Sequence, residues 1–98
     1  MKKEEARRIL ADASPECSFW VNNGPVLKSL EELHKALLKM NKETFEHHVT
    51  KEKNDFSAWI KDVLGDSSLA ESLAKAKSKQ AIITRISQRL QVLKRTAA

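Results

Sequence analysis

The strongest constraint on the fold is a stripe of apolar side chains between residues 51 and 64. Its members recur at the i, i+3, i+4, i+7 and i+8 positions: Phe56, Trp59, Ile60, Val63 and Leu64. This spacing places all five side chains on one face of an α-helix. Thr50 is a candidate N-cap, and Gly65 stands where a glycine commonly ends a helix. We predict that this helix is the central element of the core.

The rest of the sequence favours an all-α fold. A chain of 98 residues can bury one modest core, and two glycines and two prolines are few for a turn-rich β architecture. Ser29 followed by Glu32, and Ser68 followed by Glu71, have capping-box spacing and predict helices that begin at Leu30 and Leu69. We predict further helices at 2–12, 30–40, 42–49 and 79–95, with a break near Ser78. The expected fold is a single domain, 1–98, built as a small bundle of four to six helices.

Residues 17–27 differ from this helical pattern. The segment 17–21, Cys-Ser-Phe-Trp-Val, is aromatic and β-branched, and an Asn-Asn-Gly-Pro turn sequence follows it. Either an extended arm or a short hairpin across the central helix fits this pattern. Phe19 and Trp20 alternate sides, so one of the two aromatic side chains can face outward. Cys17, the only cysteine, is expected to be a small buried residue without a disulfide partner.

The positive charge is concentrated near the C-terminus. Residues 67–98 hold seven Lys/Arg against one acidic residue, whereas residues 1–66 hold eleven against twelve. This asymmetry permits binding to a nucleic-acid backbone, and a solvated helix face is the commoner reason for it. The candidate nucleic-acid or partner-binding residues are Lys75, Lys79, Arg85, Arg89, Lys94 and Arg95.

The sequence contains no recognisable catalytic motif. Its two glycines are too far apart for a phosphate-binding loop, and no serine or cysteine stands beside an oriented base. Glu43, His47, His48 and Glu52 are weak metal candidates, because no spacing makes three or four of them converge. The commoner arrangement has His48 at the core boundary and His47 in solvent. We therefore predict no catalytic residue and no cofactor.

The chain has neither a secretory signal nor a run of the roughly 20 apolar residues that a membrane-spanning helix needs. The expected location is the cytoplasm, with no membrane partner.

Several blocks of the sequence resemble a prokaryotic domain family of unknown function that is frequent in archaea. These blocks are Phe-Trp-Val-Asn-Asn-Gly-Pro at 19–25, Ser-Leu-Glu-Glu-Leu at 29–33, His-His-Val at 47–49 and, most specifically, the segment 54–70. The resemblance covers about half of the chain, and the first helix and the basic C-terminal helix lie outside it. It implies a small helical module that occurs alone or beside other domains, and it implies no activity.

We therefore expect a non-enzymatic interaction or regulatory module that acts through a protein partner or by self-association. The alternatives are a nucleic-acid-binding protein that uses the basic C-terminal helix, and a helix-borne metal site. The expected partner-binding surface comprises Phe19, Trp20 and Ile82, flanked by Arg85 and Arg89.

Overall fold

The computed structural model describes residues 1–98 and contains six α-helices and one two-stranded antiparallel sheet. In chain order the elements are α1 (Lys3–Leu10), β1 (Phe19–Trp20), β2 (Val26–Leu27), α2 (Leu30–Lys39), α3 (Lys42–His48), α4 (Asp55–Trp59), α5 (Ser67–Ala74) and α6 (Lys79–Ala97). A 3₁₀ turn, Pro15–Cys17, precedes β1, and α4 continues as a π-helical turn, Ile60–Leu64. The predicted small helical bundle is confirmed, and the arm forms a short hairpin.

Three helices begin at side-chain caps at the helix starts that the sequence predicted. Ser29 Oγ accepts the Glu32 N–H at 3.2 Å at the start of α2, and Asn41 Oδ1 accepts the Thr44 N–H at 2.8 Å at the start of α3. Ser78 caps α6 in the same manner. Each cap satisfies a backbone donor that has no partner within its helix. The predicted break near Ser78 is therefore confirmed.

The predicted N-cap of the central helix is wrong. Thr50 Oγ1 accepts the N–H groups of Glu52 and Lys53 and so closes a tight turn before the helix. The cap is Asn54, whose side chain accepts the Ser57 N–H at 3.0 Å. The helix consequently begins at Asp55, four residues later than its sequence predicted, because an asparagine nearer to the apolar stripe supplies the cap.

The predicted start of α5 is also displaced. The capping residue is Asp66, not Ser68, and its Oδ1 accepts the Leu69 N–H at 3.1 Å. Gly65 adopts the left-handed conformation, with φ of 80°, as its position after the apolar stripe predicted.

The hydrophobic core is one continuous cluster of buried side chains. Phe56 and Ile60 from the predicted stripe are fully buried, and Trp59 is 7% exposed. The longest helix, α6, packs against α1, α2 and α5. Phe56 and Trp59 therefore belong to the packing between helices.

The hairpin lies across α4. The Trp59 indole N–H donates to the Cys17 carbonyl at 2.7 Å, and the Phe19 ring lies 5.1 Å from the Phe56 ring. The expectation that Cys17 is buried is wrong, because the side chain is exposed and only the carbonyl is used by the core. Cys17 ends the 3₁₀ turn, and its carbonyl points toward α4 while its side chain faces solvent. None of the helices combines the length and apolar character needed to cross a membrane.

Candidate interaction surface

The hairpin has one buried face and one exposed face. Phe19 pairs with Leu27, and both are buried against the core; Trp20 pairs with Val26 on the opposite face. Trp20 is 74% exposed and Val26 is 44% exposed. Side chains alternate along a strand, so burial of Phe19 obliges Trp20 to face outward. We call the side chains of Trp20 and Val26 the hairpin surface.

The turn that joins the two strands requires its small residues. Asn23 has a positive φ of 58°, which asparagine tolerates better than most residues. The Gly24 N–H donates to the Val21 carbonyl at 3.0 Å, and a Cβ at Gly24 would lie 2.8 Å from a methyl carbon of Val21. The turn sequence therefore holds Trp20 and Val26 opposite each other.

A cleft of about 250 Å³ lies beside this turn. One wall is the turn, and the other is formed by the end of α2 and the start of α3, including Lys39, Asn41 and Thr44. The cleft is open and is lined by both polar and apolar residues, and it continues the apolar hairpin surface past the turn.

His48 links the hairpin to the helices. Its side chain is 5% exposed, its Nδ1 lies 2.9 Å from Asp55 Oδ2, and its Nε2 lies 3.0 Å from the Asn22 backbone nitrogen. A carboxylate accepts and a backbone N–H donates, so both contacts are satisfied when Nδ1 carries the proton and Nε2 does not. This geometry indicates a neutral imidazole that holds the end of β1.

Aromatic rings surround this imidazole. The ring centroids of Phe19 and Phe56 lie 5.0 Å and 5.3 Å from that of His48, and the His47 ring is 4.9 Å away, nearly perpendicular. The buried face of the hairpin and the histidine therefore belong to one packed cluster.

Asp55 is the charged partner in this cluster. Partial burial raises the pKa of its carboxyl, but hydrogen bonds from His48 and Lys53 outweigh burial and leave the pKa below its usual value. Lys53 Nζ lies 2.9 Å from Oδ2, the same oxygen that His48 contacts. The carboxylate is thereby kept ionised as the acceptor for both groups.

The predicted basic surface of α6 is largely occupied by contacts within the chain. Arg89 forms a bidentate pair with Asp66, at 2.8 and 3.0 Å, and Arg85 donates to the Ser72 carbonyl. Asp66 is only 2% exposed, so this ion pair is a structural contact. The prediction that Arg85 and Arg89 flank a partner site did not anticipate these contacts.

Two further cations of the predicted set are also engaged. Lys79 donates to the Met40 carbonyl, and Lys94 pairs with Glu31 at 2.5 Å. The hydrogen bond from Lys94 lowers the pKa of Glu31, and the small cost of burial does not offset it. Lys75 and Arg95 form no ion pair and are exposed.

Two of the apolar residues predicted for the partner surface lie inside the core. Ile82 is 0% exposed and Phe19 is 7% exposed, so neither can contact a partner in this conformation. Ile82 is on the side of α6 that faces the other helices, and Phe19 is on the inner face of the hairpin. Of the three predicted apolar residues, the structure exposes only Trp20.

The weak metal candidates do not form a ligand set. No group of three or more His, Cys, Asp or Glu side chains is placed to hold a metal ion. The structure engages both ring nitrogens of His48 in other hydrogen bonds, while Glu52 accepts from the Thr50 hydroxyl.

A lysine cluster that the sequence analysis did not identify forms where two loops meet. A cleft of about 160 Å³ is lined by Lys51 and Lys53 from one loop and by Lys77 from the other. Lys77 follows Lys53 by 24 residues. Asn54 Nδ2 donates to the Leu73 carbonyl at 3.1 Å and so ties the first loop to the end of α5. Only a periodic or clustered charge pattern could have indicated this surface, and the two loops share none.

The helical bundle and the hairpin surface define the class of protein: a small helical domain with one aromatic hairpin directed into solvent. The chain belongs to the family of unknown function DUF5752, whose model matches residues 22–94. The predicted membership of an unknown-function family is thus confirmed, and the match extends through most of α6, which the sequence resemblance left out. An archaeal distribution stays a prediction. No curated protein and no solved structure matches the chain.

Proposed function

We propose that the chain is a non-enzymatic, cytoplasmic interaction module that binds a partner protein through the hairpin surface. The observation that carries this proposal is the 74% exposure of Trp20 on a hairpin whose other face is locked into the core. Tryptophan is among the residues that contribute most to binding energy at protein interfaces. A rigid support lowers the entropy lost when such a side chain is bound.

The size of the surface favours a partner with a groove over a second copy of the chain. An aromatic side chain buries about 150–250 Å², whereas a stable interface buries about 800 Å² on each partner. Two flat hairpin surfaces in contact would bury much less than that. A groove that encloses the indole and also contacts the polar turn supplies the missing area.

The test compares Trp20 with an exposed apolar residue outside the hairpin. Leu38 on α2 is 58% exposed and provides the matched control. A photo-crosslinking amino acid at position 20 should capture a partner from native lysate, and the purified partner should then bind the wild-type protein. We expect Trp20→Ala to weaken that binding at least about tenfold and Leu38→Ala to leave it unchanged, because a hot-spot truncation costs about 2 kcal/mol or more.

Two outcomes would contradict this proposal. The purified partner could bind Trp20→Ala as tightly as the wild type, which would place the interface elsewhere. Sedimentation could instead show a wild-type dimer that Trp20→Ala dissociates, which would make a second copy the occupant.

A second candidate, nucleic-acid binding, is favoured by the lysine cluster and not by α6. Lys51 and Lys77 form no ion pair. Lys75, two residues before Lys77 in the chain, is exposed and also forms no ion pair. Cations without partners can neutralise phosphates, whereas those of Arg85 and Arg89 are already engaged.

The salt dependence of oligonucleotide binding tests the nucleic-acid candidate. Anisotropy with labelled single-stranded and duplex oligonucleotides should show binding that weakens steeply between about 50 and 200 mM salt. Replacing Lys51, Lys75 and Lys77 by glutamine should remove it, while Arg95→Gln should have little effect. Absence of binding at the lowest salt concentration would eliminate nucleic acid as the ligand.

A further inference from the structure

We propose that His48 is a pH-sensitive latch that holds the hairpin closed when its imidazole is neutral and releases it when the imidazole takes up a second proton. The latch would regulate the hairpin surface, so its biological role rests on the proposed function. The structural change itself requires no partner.

The two hydrogen bonds of the ring define the closed state. Nδ1 lies 2.9 Å from an Asp55 oxygen, which only accepts, and Nε2 lies 3.0 Å from the Asn22 nitrogen, which only donates. A single proton on Nδ1 satisfies both partners. His48 is 4% exposed, so water has little access to replace either partner.

A second proton affects the two bonds differently. The Asp55 carboxylate still accepts from Nδ1 and gains an opposite charge beside it, so this contact persists as an ion pair. At Nε2, an N–H group then faces the Asn22 N–H, and two donors confront each other at 3.0 Å. The contact between helix and hairpin is therefore the one that breaks.

Charged and titratable groups face the ring from three neighbouring elements. From the loop before α4, Lys53 contacts the same Asp55 oxygen as His48, so one carboxylate serves two cations in acid. From α3 itself, His47 adds a second imidazole 4.9 Å away. The hairpin contributes the Phe19 ring and the Asn22 amide, and neither ionises.

The hairpin is the element able to respond. Each of its strands has two residues, and a two-stranded sheet of this size is marginal without support. Asn22 and Trp20 are two residues apart, so a displaced Asn22 amide also displaces the indole. When the imidazole carries both protons, we expect the hairpin surface to lose its defined position.

Nitrogen-15 NMR of the full chain tests the latch directly. A histidine side chain changes charge between about pH 5 and pH 8, so spectra across this range follow the ring and the Asn22 amide together. We expect His48 to carry its proton on Nδ1 at the upper end. As the ring titrates, the Asn22 amide signal should shift with the same midpoint, and its protection from hydrogen exchange should fall.

Two glutamine variants provide the controls. His48→Gln places a non-titrating acceptor near the position of Nε2, so the Asn22 amide should keep one position across the pH range. His47→Gln removes the exposed neighbouring imidazole and should leave the response intact.

Several results would overturn the latch. These are a proton on Nε2 at high pH, an Asn22 amide that does not follow the His48 ring, and a response that disappears in His47→Gln. Spectra of the wild type and of His47→Gln decide the question even if His48→Gln does not fold. A Trp20→Ala variant that keeps full partner binding would contradict the proposed function and would leave the latch unaffected.

Discussion

The hairpin and α6 were both predicted from sequence as binding surfaces, but in the structure they differ in how much of the predicted surface is free to bind a partner. On the hairpin, one aromatic residue is buried and its neighbour, Trp20, stays 74% exposed. On α6, Arg85 donates to a carbonyl of α5, and Arg89 pairs with Asp66, the residue that caps α5. Lys94 pairs with Glu31 on α2. The hairpin therefore keeps an unused surface, whereas the helix uses its cations to hold the bundle together.

The difference follows from the geometry of the two elements. A strand alternates its side chains, so packing one face necessarily exposes the other. A helix packed among several neighbours places its flanking arginines beside the ends of adjacent helices: Arg85 donates to the Ser72 carbonyl near the end of α5, and Arg89 pairs with the Asp66 carboxylate that caps its start. Charge on a buried helix is thus weak evidence for an external ligand.

The largest expected effect concerns the ion pair on α6. Arg89→Met leaves the Asp66 carboxylate, which is 2% exposed, without its cation. We expect a loss of about 3–5 kcal/mol in the free energy of unfolding, measured by urea denaturation. Arg95→Met, an exposed site on the same helix, should change it by less than about 0.5 kcal/mol. Equal effects would show that the cations of α6 do not differ in structural role.

The next effect separates the two faces of the hairpin. Phe19→Ala removes a ring that packs against Phe56 and Trp59, and we expect it to cost about 3 kcal/mol. Trp20→Ala should change stability by less than about 0.5 kcal/mol, because the indole is largely in solvent. Thermal unfolding of both variants provides the measurement. A destabilisation by Trp20→Ala as large as that of Phe19→Ala would place the indole in the core.

A smaller effect concerns the pH dependence of Asp55. Its pKa is lower in the folded chain than in the unfolded chain, so ionisation contributes stability above the unfolded value. That contribution is lost as the pH falls through the folded value, below about pH 4. Asp55→Asn should cost on the order of 1 kcal/mol near neutral pH and should flatten the acid limb of the stability curve. An unchanged acid limb in this variant would contradict the assignment.

The smallest expected effect is at the surface pair between Lys94 and Glu31. Both side chains are partly exposed, at 58% and 38%, so Lys94→Ala should cost less than about 0.5 kcal/mol. The difference from the wild type should vanish at about 1 M salt, where screening is strong. A larger or salt-independent loss would mean that Lys94 also contributes through packing of its alkyl chain.

Local sequence patterns predicted the helices well where cap and stripe agree. Ser29, Asn41 and Ser78 each accept a backbone N–H at the predicted helix start. At the central helix the local pattern predicted Thr50 as the cap, whereas the structure uses Asn54. Which residue caps the helix depends on whether the residues between Thr50 and Asn54 are better hydrogen-bonded as a turn or as a helix. Asn54 also donates to the Leu73 carbonyl, and that contact joins distant parts of the chain.

The candidate site was less predictable than the fold. The alternation of Phe19 and Trp20 indicated that one ring faces outward but did not say which. The pairing of His48 with Asn22 and Asp55 was not predicted, because these three residues are brought together by the hairpin crossing the helices. Whether Arg85 and Arg89 are engaged within the chain was likewise not predictable, because it depends on which helix ends lie next to them.

The sequence by itself determined the helical class, most helix boundaries and the turn that closes the hairpin, because apolar periodicity, caps and turn residues act over a few neighbouring positions. Tertiary structure alone decided which aromatic ring is exposed, which cations are engaged and which histidine is buried. Those outcomes depend on contacts between residues far apart in the chain, such as Glu31 and Lys94, which are 63 positions apart, and no local pattern encodes such contacts.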